Sequence, residues 1–271
     1  MMLFIERQLG FGPRFLGAPG HEQVKDYLIS ELTSFADENK TQKWEYSASD
    51  GSKKAVTNIF ASFYPEKKER IIIATHYDSR EFADRDLENP KMAVPGANDS
   101  TSGTAVLLAI GSYLKKSREE PRVGVDLIFF DGEDDKDNYI NMDWKPLGST
   151  YFAEHISEIY KEKPEGGLIV DMVCDKDLKI MKEIASFRDA SIESEKFWKV
   201  AQASYPEFFS SSFGLEILDD HTPLNKIGIP TFLIIDFEYP YWHTTEDTID
   251  KCSAESLEAV ANSVLNYIYS L

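Results

Sequence analysis

Histidine and carboxylate side chains lie where the apolar segments of this sequence end or where a predicted helix begins. The set consists of two histidines and four acidic residues, namely His76, Asp99, Glu133, Asp134, Asp171 and His243. Imidazole and carboxylate groups without a thiolate are typical ligands of a catalytic zinc ion, which keeps one coordination position open for water or substrate. The sequence therefore predicts a metal site.

Glu133 and Asp134 are neighbours in the chain, so at the end of a strand their side chains point in different directions. One of them can bind a metal while the other stays free. A free carboxylate beside a metal can take a proton from a nucleophile and pass it to a leaving group. This pair therefore predicts acid–base chemistry next to the metal.

Each of these residues also has an ordinary structural interpretation. Asp99 precedes a predicted helix, where an aspartate commonly caps the first turn. Glu133 and Asp134 lie in an acidic loop, and such loops are usually just solvated. His76 and His243 could be hydrogen-bonded histidines without a metal. Because the whole set converges on strand ends, we favour the metal site.

The elements that must position these residues are short apolar strands alternating with helices. Strands are predicted at residues 57–63, 70–75, 123–130, 167–173 and 231–236. Helices are predicted at residues 21–38, 102–116, 150–160, 194–204 and 254–271. The alternation predicts a single α/β domain over residues 1–271, with a mostly parallel, mixed central sheet flanked by helices on both faces. In such a sheet ligands bind beyond the carboxyl ends of the strands, where the polar set lies.

Composition excludes several other classes of protein. The 271 residues are 42% hydrophobic and carry a formal charge of −18, the wrong sign for a surface that binds nucleic acid. No apolar run approaches the roughly 18–20 residues of a membrane span, and the first residues lack the layout of a signal peptide. Cys174 and Cys252 are too few for a disulfide framework and lack CxxC spacing, so any metal ligands must be histidines and carboxylates.

Motifs along nearly the whole chain resemble those of the zinc aminopeptidase and glutaminyl cyclase superfamily. They include His76-Tyr77-Asp78-Ser79-Arg80, Gly96-Ala97-Asn98-Asp99-Ser100, Phe130-Asp131-Gly132-Glu133-Asp134, Asp219-Asp220-His221 and Tyr241-Trp242-His243-Thr244-Thr245. The resemblance implies the zinc exopeptidase-like fold. It also implies that Asp99, Asp134 and His243 bind zinc and that Glu133 is the general acid/base.

The resemblance leaves two metal counts open. In the two-metal aminopeptidases of the superfamily, His76 and Asp171 would hold a second zinc, with Asp99 bridging the ions. In the cyclases one zinc is kept, and Asp171 would join Glu133 and Asp220 in a hydrogen-bonded acidic network.

The aromatic residues favour a cyclase of the bacterial type. Trp242, directly before the ligand His243, and Trp144, shortly after Glu133-Asp134, resemble the aromatic walls that enclose a glutamine side chain. Either ring could equally belong to the core. The expected reaction converts an N-terminal glutamine of a peptide or protein to pyroglutamate with release of ammonia, using one zinc per chain.

Two other functions remain as alternatives at this point. One is a two-zinc metalloaminopeptidase, and the other is an inactive binding module that has kept the fold. We expect a monomer whose partners are glutaminyl peptides rather than nucleic acid or membrane. The compartment is left open, with export to the periplasm or the exterior expected if the chain has been trimmed.

Overall fold

Apolar runs that can be buried on both faces form the centre of a six-stranded sheet. The computed structural model describes residues 1–140 and 143–271. The strands of the sheet are β1 (Glu38–Ser47), β2 (Lys53–Phe63), β3 (Arg70–His76), β4 (Gly124–Phe130), β7 (Gly166–Asp171) and β10 (Thr231–Ile235). Two small sheets consist of β5 (Tyr139–Ile140) with β6 (Asp143–Trp144) and of β8 (Ile180–Lys182) with β9 (Phe209–Phe213).

The sheet is mixed, with the strand order β1-β2-β4-β3-β7-β10. The pairs β1–β2 and β2–β4 are antiparallel, while β4, β3, β7 and β10 run parallel. Every residue of β4, β7 and β10 is buried, as expected for parallel strands covered on both faces. The predicted single α/β domain with a mostly parallel, mixed sheet is confirmed.

Helices cover both faces of this sheet. They are α1 (Met2–Leu9), α2 (Pro19–Phe35), α3 (Thr101–Lys116), α4 (Leu147–Glu154), α5 (Ile184–Asp189), α6 (Ser191–Ser204), α7 (His221–Lys226) and α8 (Ala254–Ser270). One hydrophobic core joins the sheet to α2, α3, α6 and α8, and a smaller core on the other face involves α4 and α7. Short 3-10 turns occur at Lys136–Asn138, Ile156–Glu158 and Ile249–Lys251. No helix among the described residues is both long and apolar enough to cross a membrane.

Several predicted elements differ from the observed ones at an end: the helix predicted at residues 21–38 stops at Phe35, the strand predicted from residue 57 begins at Lys53, and the helices predicted from residues 150 and 194 begin at Leu147 and Ser191. Two further differences have a backbone cause. The helix predicted to reach residue 160 stops at Glu154, because His155 leaves the helical backbone region (φ −117°, ψ 24°) and a 3-10 turn follows. The strand predicted to reach residue 173 stops at Asp171, because Met172 has a left-handed φ of 46°. This second change places Asp171 at the last position of its strand.

Candidate metal centre

Three of the predicted residues meet where β3, β7 and α3 come together. His76 is the last residue of β3, Asp171 is the last residue of β7, and Asp99 lies just before α3. The His76 Nε2 atom lies 3.2 Å from Asp99 Oδ1 and 3.3 Å from Asp171 Oδ1. Gly103 allows α3 to pack this close to β7, because a Cβ at that position would lie 2.5 Å from the Val170 carbonyl oxygen.

Asp99 also belongs to a second group, with Asp134 and His243. The His243 Nε2 atom lies 3.3 Å from Asp134 Oδ1 and 3.7 Å from Asp99 Oδ2. Ligand atoms of a tetrahedral zinc with bonds of about 2.0–2.1 Å are separated by about 3.3 Å. The spacing and the donor types of this group therefore fit a zinc ion.

An unpartnered atom supports the same conclusion. Asp134 Oδ2 is buried and accepts no hydrogen bond within the described part of the chain. Buried carboxylate oxygens are normally hydrogen-bonded or bound to a metal. The three residues each place one ligand atom within 4.8 Å of the others.

Two of the ordinary interpretations are wrong. The side chain of Asp99 does not cap α3, whose N-cap residue is Ser100, and it lies instead between His76 and His243. The loop that holds Glu133 and Asp134 is not solvated, since the two residues are only 9% and 5% exposed. Both features are explained if the carboxylates bind a cation.

Asp78 fixes the Glu133-Asp134 turn through its backbone. Its carboxylate accepts hydrogen bonds from the amide nitrogens of Glu133 (3.1 Å) and Asp134 (3.0 Å). It also lies 3.2 Å from His76 Nδ1, so it orients the imidazole of that residue. Sequence analysis missed this role, although Asp78 stands in the His76-Tyr77-Asp78 motif.

Asp247 performs the same task for the loop before α3. Its carboxylate accepts hydrogen bonds from the amides of Asn98 (2.9 Å) and Asp99 (3.1 Å) and from the Tyr239 hydroxyl (2.8 Å). This role was also missed, because it joins segments 148 residues apart.

The backbone of His243 is held in a conformation that is unusual for a residue with a side chain. Its φ is 57°, a left-handed value that costs a non-glycine residue about 1 kcal/mol or more. Asp84 lies 3.0 Å from its Nδ1 atom, and the amide of Arg85 donates to its carbonyl oxygen at 3.2 Å. The charged loop at residues 80–95 thus orients a candidate ligand.

The surroundings of Glu133 and Asp134 shift the pKa values of the two residues in opposite directions. Burial and the neighbouring charges of Asp134 and Asp219 hold the pKa of Glu133 well above its ordinary range. Burial alone would also raise the pKa of Asp134, but the charge and hydrogen bond of His243 hold it below its ordinary value. Glu133 therefore takes up a proton readily, while Asp134 stays a carboxylate suited to a metal.

The acidic network predicted behind Glu133 is arranged differently from the expectation. Asp219 lines the cavity beside Glu133 and Asp171, whereas Asp220 is fully buried behind it as the N-cap residue of α7. Burial and the charge of Asp171 raise the pKa of Asp219 well above its ordinary value, and burial raises the pKa of Asp220 to about 7. Which of two adjacent aspartates faces the cavity depends on the backbone at the start of α7.

Most of the cluster lines a cavity of about 550 Å³, to which Asp99, Glu133, Asp134, Asp171 and His243 contribute. Trp144 and Trp242 both line this cavity, and neither is fully buried. Trp242 packs against His243 with ring centroids 4.2 Å apart and against Phe237 at 4.7 Å. The aromatic residues are therefore in position to contact a ligand that reaches the cluster.

A disulfide joins Cys174 to Cys252 beside the site. Cys174 follows Asp171 by three residues, and its amide donates to the side chain of Asn98, next to Asp99. The bond therefore connects the segment after β7 with the segment between His243 and α8. Sequence analysis gave no expectation of it, because two cysteines 78 positions apart carry no pairing signal.

A mixed α/β sheet with histidine and carboxylate side chains gathered at the ends of its parallel strands is the arrangement of the zinc exopeptidase-like class of enzymes. The comparison with known families is specific. The chain belongs to peptidase family M28, whose sequence pattern matches residues 58–268.

Relatives of this chain include glutaminyl cyclases and aminopeptidases. The glutaminyl-peptide cyclotransferase of Drosophila melanogaster is 26% identical, over 92% of this chain and 75% of that protein. The crystal structure of Tannerella forsythia glutaminyl cyclase is 34% identical with a TM-score of 0.91, covering 99% of this chain and 97% of that one. A structure described as a leucine aminopeptidase precursor from Bacteroides thetaiotaomicron is 32% identical with a TM-score of 0.92, covering 100% and 96%.

Proposed function

We propose that this protein is a glutaminyl-peptide cyclotransferase that uses one zinc ion. It would convert an N-terminal glutamine of a peptide or protein to pyroglutamate and release ammonia. The observation that carries the proposal is a buried Glu133 beside the candidate ligands in a cavity that Trp144 and Trp242 also line. The similarity to bacterial glutaminyl cyclases over nearly the whole chain supports it.

Asp99, Asp134 and His243 would hold the zinc. When bound, zinc supplies a Lewis acid that polarises the side-chain carbonyl of the substrate glutamine. The tryptophan rings would hold that flat side chain between them and exclude water, which the reaction does not need.

Glu133 would move the one proton that the reaction transfers. The α-amino nitrogen of the substrate forms a bond to its own side-chain carbon, and the bond from that carbon to the amide nitrogen breaks. The attacking amine loses one proton and the leaving nitrogen gains one, so the atoms balance with ammonia as the product. A carboxyl group with a raised pKa suits both steps.

Asp171, Asp219 and Asp220 would complete the acidic network around Glu133. Asp171 and Asp219 line the cavity and are placed to orient the attacking amine. Asp220, buried behind Asp219, would act through the charge it adds near Glu133. These assignments remain part of the proposal.

With one zinc, His76 would act as a hydrogen-bond partner of the acidic network. Its Nε2 atom lies at hydrogen-bond distance from Asp171 and close to Asp99. A protonated imidazole there would balance the charge of Asp171, while Asp99 would bind the zinc.

A two-zinc aminopeptidase is the second candidate, and one observation favours it. The two oxygens of Asp99 face different groups, Oδ1 toward His76 and Oδ2 toward His243, as a bridging ligand would. In that case His76 and Asp171 would bind the second zinc.

Parallel assays with metal analysis separate the two candidates. The purified protein is incubated with a glutaminyl peptide and a leucyl peptide, and zinc is counted on the same sample. We expect ammonia from the glutaminyl peptide and one zinc per chain. Free leucine with two zinc ions per chain would overturn the proposal, and no turnover of either peptide would favour an inactive binding module.

We further propose that the protein works outside the cytoplasm as a monomer. The Cys174–Cys252 disulfide supports an oxidising compartment, because such bonds rarely persist in a reducing cytosol. Thiol titration of protein isolated from its native cells, with and without a reductant, tests this. Free thiols in the protein as isolated would contradict export.

A further inference from the structure

Most charged residues that line the cavity outside the metal-ligand cluster are paired within the chain. The Arg80 Nη2 atom lies 2.7 Å from Asp84 Oδ2, and the Lys136 Nζ atom lies 3.1 Å from Glu81 Oε2. On the acidic side, Glu216 Oε1 lies 2.7 Å from Arg188 Nη1. These pairs leave little free charge for a ligand.

Arg85 is the exception among the described lining residues. Its side chain is exposed and lines the same cavity, and in residues 1–140 and 143–271 no carboxylate lies at ion-pair distance from it. An unpaired guanidinium at a substrate cavity has donors available for an anionic group.

The position of this guanidinium is fixed by its neighbours. Its central carbon lies 3.9 Å from the ring centroid of Trp242, and its backbone amide donates to the carbonyl oxygen of His243. Stacking on tryptophan orients a guanidinium without using up its hydrogen-bond donors. Arg85 is therefore held against Trp242, the chain neighbour of the candidate ligand His243, in the lining of the cavity.

We propose that Arg85 binds a carboxylate on the peptide just after the N-terminal glutamine, so that the enzyme prefers substrates whose second residue is acidic. The inference rests on the proposed cyclase function. With the glutamine at the cluster, a peptide that continues past Trp242 would reach Arg85, which stacks on that ring in the lining of the same cavity. The protein carries a net charge of −18, which repels acidic peptides overall, so a local cation is needed to accept one.

Two peptides that differ only in the second residue test this inference. One has glutamate and the other has the isosteric glutamine at that position, and kcat/KM is measured by ammonia release at low ionic strength. We expect the wild-type protein to favour the glutamyl peptide by about threefold to fivefold, as an exposed ion pair would give. The preference should shrink at high salt.

Variants of the same loop identify the residue responsible. Arg85→Gln should bring the ratio close to one by slowing the glutamyl peptide only, and Arg85→Lys should keep part of the preference. Lys91→Gln is the matched control, since Lys91 is exposed in the same loop, lies off the cavity and loses the same charge. It should keep the wild-type ratio.

Three results would overturn the inference. A wild-type ratio of one, or an equal loss on both peptides in Arg85→Gln, would mean that Arg85 only supports Trp242. A loss of preference in Lys91→Gln would mean that overall charge is responsible. Absence of ammonia from both peptides would instead reject the proposed function, and with it this inference.

Discussion

The two ends of strand β4 bury carboxylates in opposite ways. At the amino end, Asp126 accepts hydrogen bonds from Arg70 on both oxygens, from Nε at 2.7 Å and from Nη2 at 2.6 Å. The Ser62 hydroxyl donates a third bond at 2.6 Å. This carboxylate has its own cation within the chain and a full set of partners.

At the carboxyl end the carboxylates outnumber the cations. The buried acidic groups there are Asp99, Glu133, Asp134, Asp171 and Asp219, and the nearby basic groups are His76, Arg80 and His243. Burial and the charge of Asp134 raise the pKa of Asp99 to about 7. A buried carboxylate that is paired with its own arginine serves the fold. A buried surplus of carboxylates instead requires a cation from outside the chain.

The largest effect is expected for Glu133→Gln at the carboxyl end. The substitution removes the proton acceptor but leaves the three candidate zinc ligands, so kcat should fall by about 10²–10⁴-fold with zinc content unchanged. Ammonia release and metal analysis on one sample measure both quantities.

A matched substitution outside the cavity controls for the loss of one negative charge. Glu246→Gln changes an exposed residue three positions after His243, whose partner is Lys251 at 3.4 Å. Its activity should equal that of the wild-type protein. Full activity in Glu133→Gln would remove Glu133 from the mechanism.

A substitution at the amino end of β4 should lower the stability of the protein and leave its turnover unchanged. Arg70→Ala leaves the buried Asp126 unpaired, so the free energy of unfolding should fall by about 3–5 kcal/mol. The kcat of the folded fraction should stay unchanged. Chemical denaturation and active-site-normalised kinetics measure the two effects.

Arg188→Ala is the control for this substitution. Arg188 forms ion pairs with Asp189 and Glu216 on the surface, where such pairs contribute little. Its loss should leave stability almost unchanged. Equal destabilisation by the two variants would contradict the assignment of Asp126 to a structural pair.

The sequence was informative where a residue's neighbours along the chain decide its surroundings. The strands β3, β4, β7 and β10 were predicted because a continuous apolar run has few alternatives to a buried strand. Strand β1 was missed, since it is an edge strand whose residues are mostly exposed and polar.

The same limit applies to the site. The candidate ligands could be predicted because they occupy the ends of predicted elements. Asp78, Asp84 and Asp247 could not, because their roles depend on contacts between distant segments.

The disulfide beside the site should contribute less to the free energy of unfolding than the Arg70–Asp126 pair does. Reduction of the Cys174–Cys252 bond frees a loop of 78 residues, so the free energy of unfolding should fall by about 2–4 kcal/mol. Denaturation with and without a thiol reductant measures the change. The double variant Cys174→Ser/Cys252→Ser should be insensitive to the reductant, and an equal response in it would show that the reductant acts elsewhere.

The smallest expected effect is a dependence of metal stabilisation on pH. In the metal-free protein the pKa of Asp99 is raised from its ordinary 3.8 to about 7 by burial and by Asp134, so folding favours its protonated form. Burial would lower the pKa of His243, but Asp134 and Asp84 raise it from 6.5 to about 9. The contribution of His243 to stability is complete below its pKa in the unfolded chain. It is lost as the pH rises through its pKa in the folded protein. Asp99 therefore makes the metal-free protein less stable as the pH rises from about 4 to about 7, and His243 does so as the pH rises from about 6.5 to about 9.

Zinc acts in the opposite direction over the same range. Its ligands must be deprotonated, so zinc binding strengthens as the pH rises. The stabilisation by zinc should therefore grow from about pH 6 to about pH 8, by up to about 1.4 kcal/mol per pH unit for each proton released, and the difference in Tm between zinc-loaded and chelator-treated protein should widen with it. A difference in Tm that narrows as the pH rises would mean that the surplus carboxylates at the end of β4 are not the zinc ligands.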